Sequence, residues 1–334
     1  MKESGINLFV VTTTYHILIS CSMYKEGDIL INAGNKSYGL VIKEMIDKTF
    51  GKNIISISGL ADYKLNKIKI LKFRTYMKQL KLSVCQKNIV NIVVFNDVDP
   101  EIQWIINYIN KTGKIILVEE GIGLYRDIDK RFSIAWKLFG KMIFGYQFEN
   151  IKRIGESKKV EQIICKKASL LSVRQKHKEI YPFSNTNIEL LKSRLSTLEY
   201  IEEKNWFIGQ PLVEDGILDE KKYLKIIIHL KNICPSLVIK PHPRENRNKY
   251  KVMNGIKVVE DNDTPMELML NYKDNYHFFT FYSSAILSVS NYGKAFALFK
   301  IANIKLTKEI ENIFLESSVF VVENWDGVKL DEKN

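Results

Sequence analysis

The chain has 334 residues, 46% of them hydrophobic, which exceeds what one core usually fills and sets two domains as the expectation. Fifty Lys and Arg against 38 Asp and Glu give a net charge of +12, which points to an anionic partner such as a nucleotide sugar, a nucleic acid or an acidic membrane face. Basic low-complexity tails and zinc-finger, RRM or KH signatures are absent and the lysines spread along expected helices, so nucleic acid is not the expected partner.

Cys21, Cys85, Cys165 and Cys234 lie far apart and form no CxxC pair, which indicates neither a metal cage nor a disulfide framework. A reducing cytoplasm is the setting expected. The opening apolar run is broken by Thr12, Thr13, Thr14 and His16 and lacks a small-residue cleavage site, and no stretch reaches about 18 apolar residues, so neither a signal peptide nor a membrane span is predicted.

In chain order, residues 6–11 read as a buried strand and 15–23 as a helix. Thr13 and Thr14 lie in the turn between them, where hydroxyls and a helix start face a ligand. Residues 28–32, 53–58, 91–95 and 114–118 are predicted strands; 40–50, 63–82 and 100–110 are predicted helices, the second of these long and basic. Apolar strands alternating with helices predict a doubly wound parallel sheet. Residues 131–171 interleave Phe132, Ala135, Trp136, Phe139, Met142, Ile143 and Phe144 with Lys130, Arg131, Lys137 and Lys141 at helical spacing. That amphipathic segment suits an acidic membrane surface, a dimer contact, an acceptor-side lid or an ordinary core helix. Residues 184–200 are predicted as a more polar helix, and 202–205 as a hinge.

A second alternating series begins at Trp206-Phe207-Ile208-Gly209-Gln210-Pro211. Helix 220–231, strand 237–239, strand 257–259, strand 277–281, helix 285–289 and strand 295–299 follow, with the last thirty residues mixed. Thr264-Pro265-Met266-Glu267 reads as a helix start with a cap, Pro at its first position and Glu at its third. The prediction is α/β, with a Rossmann-like domain at 1–203, a second at 204–334, and a cleft between them.

Three short stretches carry chemistry. Glu119-Glu120-Gly121 ends a strand; adjacent carboxylates there repel each other and raise one pKa for base work, with Gly121 letting the backbone turn, or else they form a charged loop. In Lys240-Pro241-His242-Pro243-Arg244 two prolines fix the backbone where a strand ends and present one imidazole beside two cations, an anion site with a proton donor or a proline-rich surface loop. Ser283-Ser284, at a strand-to-helix turn, offers hydroxyls to a phosphate or simply caps a helix.

An acidic pair with glycine, then His242-Pro243, then Ser283-Ser284, in that order, resembles the three motifs of bacterial sialyltransferases. With the opening Thr13-Thr14-Tyr15-His16 and Phe207 to Pro211, the chain looks most like glycosyltransferase family 52, the lipooligosaccharide and capsule sialyltransferases. Glu stands where the acidic pair often has Asp. The resemblance implies a GT-B-like fold and inverting transfer of sialic acid from CMP-sialic acid to a glycan hydroxyl, a galactose terminus in particular, with no cofactor or metal. Carried over by residue, Glu120 is the base, Glu119 shapes the loop, and His242 donates to the departing phosphate with Lys240 adding charge. Ser283 and Ser284 hold that phosphate; Glu267 is either the helix cap or a partner for ribose hydroxyls. Gly121, Gly209, Gln210 and Pro243 line the substrate, while Thr13, Thr14 and His16 lie on the acceptor side. Rival readings are a polysialyltransferase or a transferase of a related acid sugar, a nucleotide-sugar epimerase or hydrolase of GT-B shape, and a non-enzymatic basic binder. A cytoplasmic location, peripheral at the inner membrane face, and a homodimer complete the expectation.

Overall fold

The computed structural model describes residues 5–34, 38–56, 75, 78, 80–84, 87–109, 113–128, 133–146, 148–183, 186–198, 201–261, 263–271, 275–328 and 330. By internal contacts the chain divides into Met1–Leu195 and Ser196–Asn334.

The first unit is built on a seven-stranded sheet of β1 (Ile6–Val11), β2 (Ile29–Asn32), β3 (Ile54–Ser56), β4 (Ile89–Val94), β5 (Lys114–Val118), β6 (Val160–Cys165) and β7 (Glu179–Pro182). Their order is β3-β2-β1-β4-β5-β6-β7, and every neighbouring pair is parallel. Leu8 to Val11 are buried without alternation, the pattern of a strand covered on both faces. The second unit has a six-stranded parallel sheet of β8 (Asn205–Ile208), β9 (Leu237–Lys240), β10 (Lys257–Val258), β11 (Tyr276–Thr280), β12 (Gly293–Ala297) and β13 (Val319–Val321), in the order β10-β9-β8-β11-β12-β13. Each sheet reverses its winding once, between β1 and β4 and between β8 and β11. In open α/β sheets those two places, beyond the carboxyl ends of the strands, are where ligands bind.

Three local expectations need correction. The segment 131–171 is not one amphipathic helix: Ile134–Phe144 is helical, but Val160–Cys165 is strand β6, paired in parallel with β5 and β7. Strand β7 and the terminal helix Lys308–Leu315 with β13 were not foreseen either. Thr264 does not cap the helix Met266–Met269: Pro265 is its N-cap residue, Thr264 Oγ1 donates to Asp261 at 2.5 Å, and Glu267 accepts from Ser288. Of the basic helix expected at 63–82, residues 63–74, 76, 77 and 79 lie outside the described residues, as do Phe132 and the side chains of Ala135, Trp136, Phe139, Ile143 and Phe144.

Just past β4, Asp97 is fully buried and accepts from the amides of Gly155 and Ser157, both at 2.9 Å, tying the approach to β6 against the sheet. Burial outweighs these donors and raises its carboxyl from 3.8 to about 6. An acid whose pKa is raised on folding is protonated first in the native state, so its contribution to stability falls as pH climbs from about 4 to about 6. Urea denaturation of wild type and Asp97→Asn at pH 4 and pH 7 checks this. The wild type is expected to lose stability relative to the variant as pH rises; a constant difference contradicts it.

Candidate active site

The first unit brings three of the sequence-predicted residues, Thr13, His16 and Glu120, together. β1 delivers Thr12 and Thr13 at its carboxyl end, and Thr13 caps the helix Thr14–Met23, its Oγ1 accepting from the His16 amide at 3.2 Å. His16 is stacked on Phe95, just beyond β4, with ring centroids 4.2 Å apart and planes 4° apart. Its Nε2 lies 2.7 Å from Glu120 Oε2, beyond β5. The Thr12 amide points at Nδ1 from 3.2 Å, so Nδ1 carries the lone pair, the ring proton sits on Nε2, and the imidazole donates to Glu120.

The two acids of the pair turn opposite ways. Glu119 is buried, accepting from the Tyr125 hydroxyl and from the Lys166 amide at 2.6 Å, while the Tyr125 oxygen accepts from the Lys167 amide at 3.1 Å. Burial beside Glu119 holds the Tyr125 phenol far above its usual range, which keeps it a donor. Glu119 thus pins the β5 turn to the chain leaving β6. Glu120 keeps 30% of its side chain exposed against 2% for His16, so the carboxylate of this pair is the group an incoming molecule meets. Gly121 has φ 132°, in a region that L side chains rarely adopt, which explains why glycine follows the pair.

In the second unit, Gln210 beyond β8 meets the turn beyond β11 at the winding reversal. Gln210 Oε1 accepts from the Tyr282 amide at 2.7 Å and from Thr280 Oγ1 at 3.2 Å, which fixes the turn carrying Ser283 and Ser284. Ser283 Oγ accepts from the Ala285 amide at 3.3 Å, and Ser284 is exposed. Beyond β9, the Arg244 amide donates to His242 Nδ1 at 3.1 Å, which leaves the His242 ring proton on Nε2. Pro243 is exposed. The Arg244 guanidinium is directed to Asp215, at 2.9 and 3.1 Å, rather than beside the histidine. Lys240 is buried, donates to the Asp261 carbonyl at 3.1 Å, and is lowered by burial to about 8 against the attraction of Asp261, Glu267 and Asp263. Glu267 is buried against Ser288, Oε1 accepting from the serine hydroxyl.

Sequence reasoning missed Glu245. Its Oε2 accepts from the His242 amide at 2.6 Å and its Oε1 accepts from the Tyr223 and Tyr250 hydroxyls at 2.8 Å each, with Lys249 Nζ at 2.7 Å. A Cβ at Gly209 would sit 2.1 Å from Glu245 Oε2, so glycine there makes room for this carboxylate. The signal was present: a Glu three residues after His242 is at the spacing from which a carboxylate reaches back to a preceding amide. Among the described residues, no group of three or more His, Cys, Asp or Glu is arranged to hold a metal, and Cys21, Cys165 and Cys234 are free and buried.

The family model of glycosyltransferase family 52 matches residues 36–308, most of the chain. The chain belongs to glycosyltransferase family 52. Among solved structures, this family 52 chain is similar in fold to an alpha/beta-galactoside alpha-2,3-sialyltransferase from Photobacterium phosphoreum. That match has a TM-score of 0.57 and 13% identity and covers 96% of this chain and 99% of that one. It is also similar to a putative UDP-N-acetylglucosamine 2-epimerase from Listeria monocytogenes, with a TM-score of 0.56 and 10% identity over 97% of this chain and 85% of that one. Both likenesses show the fold, two Rossmann-like α/β domains of the GT-B class. An uncharacterized protein of Haemophilus influenzae is 28% identical over 159 residues, 45% of this chain and 51% of that protein. The chain thus spans about half the length of that relative.

Proposed function

We propose that this family 52 chain is an inverting, metal-independent sialyltransferase that moves sialic acid from CMP-sialic acid to a hydroxyl, on a terminal galactose, of a bacterial capsule or lipooligosaccharide glycan. The observation that carries the reading is the division of the acidic pair: Glu119 is spent on the fold, while Glu120 is half-buried, reachable and oriented to take a proton. Family membership and the fold shared with a solved alpha-2,3-sialyltransferase support it.

In this mechanism Glu120 removes the proton of the acceptor hydroxyl as its oxygen bonds to the anomeric carbon of the sugar. The bond from that carbon to the CMP phosphate breaks on the opposite face, through an oxocarbenium-like transition state, which inverts the centre. His242 donates from Nε2 to the departing phosphate oxygen, the Ser283 and Ser284 hydroxyls hydrogen-bond the phosphate, and Lys240 adds positive potential from beneath. Glu267 is read as a partner for ribose hydroxyls, Gly209, Gln210 and Pro243 as the lining of the donor site, and Thr13 and Thr14 as the acceptor side.

No helix among the described residues is long and apolar enough to cross a membrane. Ile134, Leu138 and Met142 are exposed at four-residue spacing on one helix, alongside Lys137 and Lys141, which supports peripheral contact with the acidic inner face of the membrane from the cytoplasm. The other use of that face is a homodimer contact.

The test is CMP release from CMP-sialic acid with and without a galactose-terminated acceptor, repeated in excess EDTA. Release that depends on the acceptor and survives chelation is expected. Release at full rate without any acceptor would move the chain to a hydrolase or epimerase class. Loss on chelation, restored by magnesium or manganese, would overturn the metal-independent route.

A further inference from the structure

The mechanism above gives His16 no step, yet this side chain is fixed more completely than the base it touches. Four constraints act on it: the Thr13 cap on its own amide, the Thr12 amide and hydroxyl at its Nδ1, at 3.2 and 3.1 Å, the Phe95 ring stacked on its face, and near-complete burial. We infer that His16 is a positioning residue for Glu120, a hydrogen-bond donor locked in place whose Nε2–H occupies Oε2 and leaves proton uptake to Oε1. The inference rests on Glu120 being the base.

The geometry separates this role from a proton relay. A relay needs the imidazole to accept a proton at one nitrogen and release one from the other; at Nδ1 the Thr12 amide N–H takes no proton, and the Thr12 hydroxyl beside it takes one only by giving up its own. When Glu120 takes the hydroxyl proton on Oε1, Oε2 goes on accepting from His16, and no proton moves within the pair. The cost of ordering a flexible carboxylate is met in the folded protein before substrate arrives, because the donor that orders it is itself immobile. A base on an otherwise open side chain is thereby confined to one direction of approach.

Asparagine and glutamine divide the two ends of the ring. An asparagine amide reaches the place of Nδ1 and stays with Thr12, whereas a glutamine amide reaches the place of Nε2 and still donates to Glu120. His16→Asn is expected to lower kcat by about 10²-fold, the scale of a misplaced catalytic group, with KM for CMP-sialic acid held. Both the Asn and the Gln variant lose the Phe95 stacking and some melting temperature, so their kcat values are compared at a temperature where both are folded. His16→Gln should recover most of that loss. In an Glu120→Gln background His16→Asn should cost nothing further, since a positioning residue has nothing left to position. Equal kcat for the Asn and Gln variants, or a His16→Asn loss that multiplies with that of Glu120→Gln, would overturn the inference. Should His16→Asn fail to fold, His16→Met, of similar reach but without a donor, takes its place against His16→Gln. Full activity of Glu120→Gln alone would sink the base assignment instead, which keeps the two failures apart.

Discussion

His242→Ala is expected to lower the transfer rate by about 10²–10³-fold, the usual worth of one fixed hydrogen-bond donor aimed at developing negative charge, while the second unit stays folded. The side chain is half-buried, and its backbone amide is held by Glu245 whatever the ring does. Deleting the ring leaves the Arg244 amide without its acceptor in an exposed turn, where water replaces it at a cost of about 0.5–1.5 kcal/mol at most. Rate and stability should therefore separate: kcat falls by orders of magnitude, and the urea midpoint moves little. Turnover near the wild-type level would remove His242 from the mechanism.

Glu120→Gln should cut turnover by about 10²-fold or more with CMP affinity unchanged, because the amide keeps shape and still accepts from His16 but takes no proton. Glu119→Gln should cost less in rate, and its effect should show in stability, since the oxygen that accepts from Tyr125 and Lys166 survives as an amide carbonyl while the charge is lost. Initial rates with saturating acceptor, together with CMP binding by calorimetry, decide between the two acids. An inactive Glu119→Gln beside an active Glu120→Gln would reverse the assignment within the pair. Full activity of both would reduce the pair to a charged loop and end the proposed mechanism.

The strands built on unbroken apolar runs were legible in the sequence, because burial on both faces leaves no polar alternation: residues 8–11, 115–118 and 237–239 are the runs that gave them away. Strands β6 and β7 were not: Val160–Cys165 has no period of two, its register against β5 slips, and it lies in a stretch whose cations suggested a helix surface, while Glu179–Pro182 is largely exposed. The capping pattern at 264–267 was present in the letters and absent from the fold, since Ser288 took the glutamate that a local cap would have used. That adjacent acids face opposite ways follows from extended backbone and was readable from Glu119-Glu120 alone. The partner of Glu120 was not: His16 is 104 residues away, and the two meet because β1 and β5 flank β4 in parallel and so bring their carboxyl ends to one edge of the sheet.

Glu245 joins the backbone of His242 to the hydroxyls of Tyr223 and Tyr250, and both tyrosines belong to the main core of the second unit. The turn that presents the imidazole therefore has no opening free energy of its own; to swing it out, the chain must first break into the tyrosine layer beneath. Its motion belongs with the slow, cooperative events of the unit and not with the fast excursions of surface loops. In the proposed mechanism, spent nucleotide then leaves past a stationary imidazole, with whatever yields during turnover lying elsewhere in the chain.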